Sequence, residues 1–267
     1  MDNKIGFVFT GQGDFAEFSE SQMTIFWYQI ALAKILIENG IKPDAAGGLS
    51  LGEFSAAAIA GVCAIDEMAE IVRKRTDIMN AHISNKGGGM VACVGLNVEQ
   101  VEKIAKVAKV EIANLNAPKQ VVASGSEKNL SIFEEKAAKL GAEKVVRLDT
   151  DGAFHSSFMT DASKEFREYL LKKKFKKPSI LLYCNLTGKI LDEDYVGNFA
   201  KQMCCPVRFS EMITNMVNDG VRTFYCIGPG SALINLIRLN VKETDYRVRV
   251  KQVRDVDDLR KVCGCAE

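Results

Sequence analysis

One five-residue segment, Gly48-Leu-Ser-Leu-Gly52, limits more than any other what this chain can fold into. It matches the G-x-S-x-G pattern of a nucleophile elbow, in which a serine turns sharply out between a strand and a helix. Glycines two residues before and after the serine relieve steric crowding because they lack a Cβ atom. A small-residue run precedes Ser50, and strong helix formers follow it over 54–62. The pattern predicts strand, turn and helix, with Ser50 as candidate nucleophile and the Leu51 amide as a candidate oxyanion donor.

The chain has 267 residues, 47% of them hydrophobic, and a net charge of +1. This length permits one large core, or one core with a small satellite domain. The balance of charge gives no general attraction to nucleic acid or to an anionic membrane, so we expect neither as a partner. Residues 4–10 are typical of a strand rather than a signal peptide, and no apolar run approaches the roughly 20 residues of a membrane helix. We therefore expect a cytoplasmic protein.

The eight cysteines are scattered through mostly apolar segments, without a C-x-x-C pair. That distribution is typical of buried thiols in a reducing compartment. The two close pairs, Cys204-Cys205 and Cys263-Gly-Cys265, make weak metal sites because the chain holds only two histidines.

A second glycine-flanked loop, Thr10-Gly-Gln-Gly-Asp14, follows the first strand and is a candidate for a second oxyanion amide. The apolar spacing predicts a helix from Ser21 to Asn39, which leads into the elbow strand. A further helix over 66–82 carries a basic triplet at 73–75, which we expect on its solvated polar face.

Residues 87–150 show a separate pattern of predicted strands and helices, in the order β-α-β-β-α-β of a ferredoxin-like motif. The predicted elements lie at 90–95, 98–107, 110–115, 120–124, 129–140 and 144–148. We therefore predict an α/β fold with two parts. An α/β-hydrolase-like main domain with a parallel sheet comprises residues 1–86 and 151–267, and it carries an inserted ferredoxin-like small domain, residues 87–150.

The rest of the chain alternates between predicted helices and strands, without an internal repeat or a low-complexity tract. The pattern predicts a helix up to Lys174, a strand at 179–184, helices at 195–203 and 209–218, a strand at 223–227 and a final helix through Arg238. A basic run at 172–177 is expected to be a solvated helix end.

A serine nucleophile needs a base, and the chain offers two histidines. His155 lies in a loop that enters a helix where the chain returns to the main domain, whereas His82 ends a basic helix. The loop position at a domain boundary favours His155 as the base. A helix-capping or purely structural histidine is the alternative at that position.

Several further motifs occur in order along the chain and carry a family resemblance. They are Gly11-Gln-Gly13, Gly48-Leu-Ser-Leu-Gly-Glu53, Arg75 with Met79, Ala113-Asn-Leu-Asn-Ala-Pro-Lys-Gln120, Gly152-Ala-Phe-His-Ser-Ser-Phe-Met159, Gln202 through Cys205-Pro-Val-Arg208, and Gly228-Pro-Gly230. With these motifs the chain resembles malonyl-CoA:acyl-carrier-protein transacylases, from about Phe7 to past Leu236. Such a resemblance implies a malonyl transfer from coenzyme A to the phosphopantetheine thiol of an acyl carrier protein, through a seryl ester in a ping-pong reaction.

The resemblance also implies roles for individual residues. Ser50 would be the acylated nucleophile, His155 the base, and Gln202 the residue whose backbone carbonyl holds the imidazole. The amides of Gln12 and Leu51 would form the oxyanion hole. Arg75 would pair with the free carboxylate of malonyl, which suits the two parallel donors of a guanidinium. The positions implied near the substrate are Phe154, where bulk is typical of malonyl-selective members, and Asn114, Asn116 and Gln120.

No metal or redox cofactor is implied, and a monomer is our expectation. The chain departs from the family pattern at Leu49, where most relatives have histidine, at Thr76, where glycine is usual, and between Asp14 and Gln22, where relatives have a longer segment. A serine thioesterase or esterase is the rival enzyme, and a non-catalytic docking component of a synthase is the rival without activity. Arg75 favours the transacylase because a lipase-like pocket has no use for it. The motifs leave open whether the pathway is fatty acid or polyketide synthesis.

Overall fold

The computed structural model describes residues 3–12, 21–86, 88–150 and 152–264, with the backbone alone at 84–86. These residues divide into two compact units. The first unit comprises Met1–Lys74, Lys174–Glu193 and Glu211–Glu267, and the second comprises Arg75–Lys173 and Asp194–Ser210. The part of the predicted loop at Gly13 and Asp14, and most of the shortened segment up to Gln22, lie outside the described residues.

The strands are β1 (Lys4–Phe9), β2 (Ala45–Gly48), β3 (Gly89–Val94), β4 (Glu111–Ala117), β5 (Gln120–Gly125), β6 (Lys144–Arg147), β7 (Leu181–Leu182), β8 (Val221–Ile227) and β9 (Arg249–Val253). The helices are α1 (Gln22–Glu38), α2 (Leu51–Ile59), α3 (Ile65–Lys86), α4 (Val98–Ala108), α5 (Glu127–Lys139), α6 (Thr160–Leu170), α7 (Tyr195–Lys201), α8 (Phe209–Asn218), α9 (Ala232–Val241) and α10 (Val256–Cys263). A single 3₁₀ turn in the described chain, Ser157–Met159, precedes α6.

The described strands of the first unit form a parallel sheet in the order β7-β2-β1-β8-β9. The C-terminal halves of β1 and β8 are apolar and buried, with Phe7, Val8, Phe9 and Ile227 fully buried, as expected for a parallel sheet covered on both faces. The chain runs from β1 outwards to β2 and β7 and then returns to β8 on the other side of β1. In open α/β sheets, ligands bind outside the carboxyl ends of the strands at such a reversal of strand order.

The second unit contains an antiparallel sheet in the order β4-β5-β3-β6, which has the predicted β-α-β-β-α-β order. Side chains alternate between its two faces. One face shares a core with α4 and α5 that includes Val91, Cys93, Ile104 and Phe133. The opposite face carries a smaller apolar cluster of Met90, Ala113 and Val122, with Phe154 packed against it. The α/β fold class with a parallel sheet and a ferredoxin-like part is therefore confirmed.

The structure differs from the predicted elements at several boundaries and beyond Arg238. Strand β7 pairs with β2 at only two positions, so it is shorter than 179–184. Helix α6 ends at Leu170 rather than Lys174. The chain does not end its regular structure at Arg238, because β9 and α10 follow. Strand β9 has five residues, of which only Val250 and Val253 are apolar, so its sequence gives a weak strand signal.

The second compact unit is larger than the predicted insert at 87–150, because it also holds the end of α3, the segment up to Lys173 and residues 194–210. The bridge between Asn114 and Val207 joins the last of these to β4. The domain limits given by the sequence remain a prediction.

None of the helices among residues 3–12, 21–86, 88–150 and 152–264 combines the length and apolarity needed to span a bilayer. The expected location in the cytoplasm stays a prediction.

Candidate active site

The elbow of the first unit has the strained backbone that its sequence predicts. Ser50 adopts φ 52° and ψ −104°, a conformation that costs energy for a residue with a Cβ atom. Only glycine fits two residues before and two residues after Ser50, because other backbone atoms lie too close for a Cβ atom. A Cβ atom on Gly48 would lie 2.2 Å from the carbonyl carbon of Gly52, and one on Gly52 would lie 2.2 Å from the carbonyl oxygen of Phe9. The side chain of Ser50 makes no capping bond to α2.

Most backbone N–H groups of the elbow donate to partners within the first unit. The Ser50 N–H donates to Asn185 Oδ1 at 2.7 Å. The N–H groups of Gly52 and Glu53 donate to the carbonyls of Leu49 and Ser50. No partner for the Leu51 N–H occurs within the described residues, which is what an oxyanion donor requires before substrate binds.

The loop after β1 lies against the elbow in the same unit. A Cβ atom on Gly11 would be 2.7 Å from Leu49 Cδ2 and 2.9 Å from its carbonyl oxygen. The neighbouring Gln12 is exposed, and its side-chain Oε1 accepts a hydrogen bond from Gln22 Nε2 at 3.0 Å. The structure thus brings together the Gln12 loop and the Ser50 elbow, two of the predicted parts.

His155 is buried in the second unit, where it takes the left-handed backbone conformation with φ 56°. Its Nδ1 atom lies 2.7 Å from the carbonyl oxygen of Gln202, and its backbone N–H donates to the carbonyl of Met203 at 3.0 Å. A carbonyl oxygen only accepts, so Nδ1 must carry the proton. The lone pair is then on Nε2, which leaves that nitrogen able to act as a base.

Burial and, to a smaller extent, the positive charge of Arg75 lower the pKa of His155 to about 4, against the opposing effect of the Gln202 and Cys205 backbone bonds. The imidazole is therefore neutral at neutral pH. A neutral imidazole is the form that can accept a proton from a serine hydroxyl.

Arg75 is 1% exposed, so the prediction that it shares the polar face of α3 is wrong. Its Nη2 donates to Gln202 Oε1 at 3.0 Å, both residues being in the second unit. The reason is helical periodicity: Ile71, Ile78 and Met79, three or four residues away, are also buried. Arg73 of the basic triplet is exposed, as predicted. One residue, Gln202, therefore contacts His155 through its backbone and Arg75 through its side chain.

The other predicted site residues of the second unit are Asn114, Asn116, Gln120 and Phe154. Asn114 and Asn116 are buried on β4, and Gln120 is half-buried at the start of β5. Phe154 is half-buried on the apolar cluster of the sheet. His82, the other histidine, lies with Nε2 3.1 Å from Glu165 Oε2 and has a partly exposed side chain.

Comparisons with known proteins add to this geometry. The sequence model of the acyl transferase domain matches residues 7–262. The chain belongs to the acyl transferase family. It is 32% identical over 258 residues to the malonyl CoA-acyl carrier protein transacylase of Bacillus subtilis, covering 93% of this chain and 80% of that protein. The resemblance noted in the sequence is thereby confirmed.

Solved structures agree with the fold of this acyltransferase. The malonyl CoA-acyl carrier protein transacylase of Clostridium perfringens matches with a TM-score of 0.89 and 28% identity, over 98% of this chain and 96% of that one. The enzyme named MCAT of Streptococcus pneumoniae matches with a TM-score of 0.89 and 26% identity, over 98% and 100% of the two chains.

Two buried residues of the acyltransferase that hold the elbow were not predicted from sequence. Asn185 is fully buried, and its Nδ2 donates to the carbonyl of Gly48 at 2.6 Å. Glu53 is 1% exposed, and its Oε1 accepts from the Asn185 N–H at 3.1 Å. Glu53 directly follows the elbow motif, so its position was a usable signal. Asn185 carried no local signal, because 135 residues separate it from Ser50.

A third residue missed in the sequence, Gln29 of α1, holds the end of β1. Its Nε2 donates to the carbonyl of Thr10 at 2.7 Å, and its Oε1 accepts from Ser55 Oγ at 2.6 Å. A Cβ atom on Gly228 would lie 2.3 Å from Thr10 Oγ1. These contacts hold Thr10 in place, and Thr10 directly precedes the loop of Gly11 and Gln12.

The imidazole of His155 is expected to titrate near pH 4 in an NMR titration of the acyltransferase. Since the chain has only two histidines, a His82→Gln variant assigns the signals. The unfolded chain, with a histidine pKa of about 6.5, binds more protons than the folded protein below that pH. We therefore expect unfolding free energy to fall by about 2 kcal/mol from about pH 8 to about pH 5 through this group. A midpoint near 6.5 for His155 would contradict the expectation.

Proposed function

We propose that this acyltransferase moves malonyl from malonyl-CoA to the phosphopantetheine thiol of an acyl carrier protein, through a seryl ester on Ser50. The observation that carries the proposal is the double contact of Gln202, which joins a buried guanidinium to a neutral histidine. A buried arginine beside a base suits an acyl group that ends in a carboxylate. The name of the Bacillus subtilis relative supports the same substrate and acceptor.

In the first half-reaction, Ser50 Oγ attacks the thioester carbonyl while His155 Nε2 takes the hydroxyl proton. The oxyanion accepts hydrogen bonds from the amides of Leu51 and Gln12, each worth about 3 kcal/mol in serine enzymes. Collapse breaks the C–S bond, and the coenzyme A thiolate takes the proton from His155. The carrier-protein thiol then attacks the seryl ester by the same steps, and Ser50 recovers its proton.

Arg75 holds the malonyl carboxylate, and Phe154, Asn114, Asn116 and Gln120 surround the acyl group. The reaction balances without a metal or a redox cofactor. A monomer in the cytoplasm is the proposed working form.

Intact-protein mass spectrometry after brief mixing with malonyl-CoA tests the proposal. We expect a malonyl adduct on the protein that moves to holo acyl carrier protein when the latter is added. An adduct lost to water in the presence of carrier protein would favour a thioesterase instead. Absence of any adduct would favour a non-catalytic docking component.

Arg75→Ala is expected to lower kcat/KM for malonyl-CoA by about 100-fold, because a charge-assisted hydrogen-bonded pair contributes on the order of 2 to 3 kcal/mol. Turnover of acetyl-CoA, which lacks the carboxylate, is expected to stay within a few-fold of wild type. Arg73→Ala is the matched control, an exposed arginine two residues earlier in the same helix. A preference for malonyl-CoA that survives Arg75→Ala would remove Arg75 from the proposal.

A further inference from the structure

We infer that Asn185 is a positioning residue that holds the strained backbone of Ser50 in its reactive conformation. The inference rests on the proposed function, because it treats Ser50 as the nucleophile. All the contacts that carry it lie within the first unit. Asn185 is fully buried, and the segment that bears it follows β7 directly.

The carboxamide of Asn185 bridges the two peptide groups around Leu49. Its Oδ1 accepts from the Ser50 N–H at 2.7 Å, and its Nδ2 donates to the Gly48 carbonyl at 2.6 Å. A single short side chain must offer one acceptor and one donor to make both bonds, which a neutral asparagine does and an ionised aspartate does not. The two contacts also fix which end of the amide is oxygen.

Asn185 is itself held in place by the elbow helix. Its backbone N–H donates to Glu53 Oε1 at 3.1 Å, and the Glu53 side chain is buried in the first turn of α2. Between β7 and Asn185, the Tyr183 N–H donates to the Ala46 carbonyl of β2 at 2.9 Å. The Asn185 carboxamide with its two bonds to the elbow, here called the clamp, is therefore anchored both to the strand before the elbow and to the helix after it.

This clamp has two consequences for the chemistry. It opposes relaxation of the φ 52° conformation at Ser50, which is stable only when its surroundings over-determine it. It also occupies the Ser50 N–H, so that the next amide, that of Leu51, is the elbow N–H left for an oxyanion. Loss of the clamp should therefore slow acylation, while the binding of malonyl-CoA through Arg75 stays intact.

Asn185→Ala tests the clamp by kinetics. We expect the single-turnover rate of acylation by malonyl-CoA to fall by about 100-fold with KM within about twofold, since small misplacements of a nucleophile have effects of that size. Asn240→Ala is the matched control. Asn240 is 1% exposed in the same unit and donates from Nδ2 to the Leu236 carbonyl at 2.9 Å, so its loss also removes a buried amide. We expect Asn240→Ala to lower the melting temperature but not the acylation rate.

Asn185→Asp provides a readout that a merely structural residue would not change. The protonated carboxyl can still accept from Ser50 and donate to Gly48, whereas the carboxylate cannot donate. We expect the acylation rate of this variant to rise as the pH is lowered from about 8 to about 5.5. Burial and the neighbouring Glu53 carboxyl both favour the protonated form of a carboxyl at position 185, so it should take up a proton within that pH range. The wild-type rate is expected to stay level over the same range.

Acylation of Asn185→Ala at the rate of Asn240→Ala would overturn the inference and leave the proposed function standing. A wild-type protein that forms no adduct would contradict the proposed function instead. In that case amide hydrogen exchange tests whether Asn185 holds the elbow. The Ser50 amide is expected to be protected from exchange in wild type and to lose protection in Asn185→Ala. Equal protection in the two proteins would overturn the inference.

Discussion

Alanine in place of Ser50 is expected to abolish the malonyl adduct and to lower kcat for malonyl transfer by about 10⁵-fold or more, as removal of the nucleophile does in serine enzymes. The fold should survive, because Ser50 makes no capping bond through its side chain, and the elbow is held by close backbone packing at Gly48 and Gly52 and by the Asn185 carboxamide. The melting temperature of the variant is therefore expected to stay close to that of wild type. Steady-state kinetics together with intact-protein mass spectrometry measures both effects.

Ser231→Ala is the control for this serine variant. Ser231 also begins a helix, α9 of the first unit, without a capping bond from its side chain, and it is exposed. We expect its adduct and its turnover to match wild type. A malonyl adduct of normal amount on Ser50→Ala would place the nucleophile elsewhere.

His155→Asn is expected to lower the rate of Ser50 acylation by about 10⁴-fold, because an asparagine has no nitrogen lone pair that can take the serine proton. Asparagine is chosen because it tolerates the left-handed backbone found at His155, where φ is 56°. The variant thus separates loss of the base from backbone strain. Single-turnover acylation measured by rapid quench gives the rate, and added imidazole should restore part of it.

The matched control is His82→Asn, which changes the only other histidine of the chain. His82 contacts Glu165, so its loss should affect that surface contact and leave acylation within about twofold. A fall of less than tenfold in His155→Asn would be inconsistent with His155 as the base.

The level pH profile expected of wild type follows from the same histidine. With the pKa of His155 near 4, the base is already neutral above about pH 5, so protonation of the base does not limit acylation at neutral pH. Arg75 is one cause of this lowered pKa. The residue proposed to hold malonyl thus also contributes, after burial, to the lowered pKa of the base.

Structural features that depend on residues close together in the sequence could be predicted. The elbow, the helix before it and the β-α-β-β-α-β order of residues 87–150 depend on local spacing of glycines and apolar residues, and the structure shows each of them. The motifs at Ser50 and His155 were equally readable, since the chemistry of a nucleophile or a base requires particular residue types. Strand β9 and helix α10 escaped prediction because they are only five and eight residues long, too short for a pattern of apolar residues to identify them with certainty.

What the sequence alone determined was the family and the fold class, and it supplied the candidate nucleophile and base. Only the tertiary structure decided that Arg75 is buried on Gln202 rather than solvated, and that Asn185 holds the elbow. The Arg75 and Asn185 contacts join residues 127 and 135 positions apart. The physical reason is that a polar side chain is buried only where a distant partner satisfies its hydrogen bonds, and no local pattern of residues records where that partner will lie.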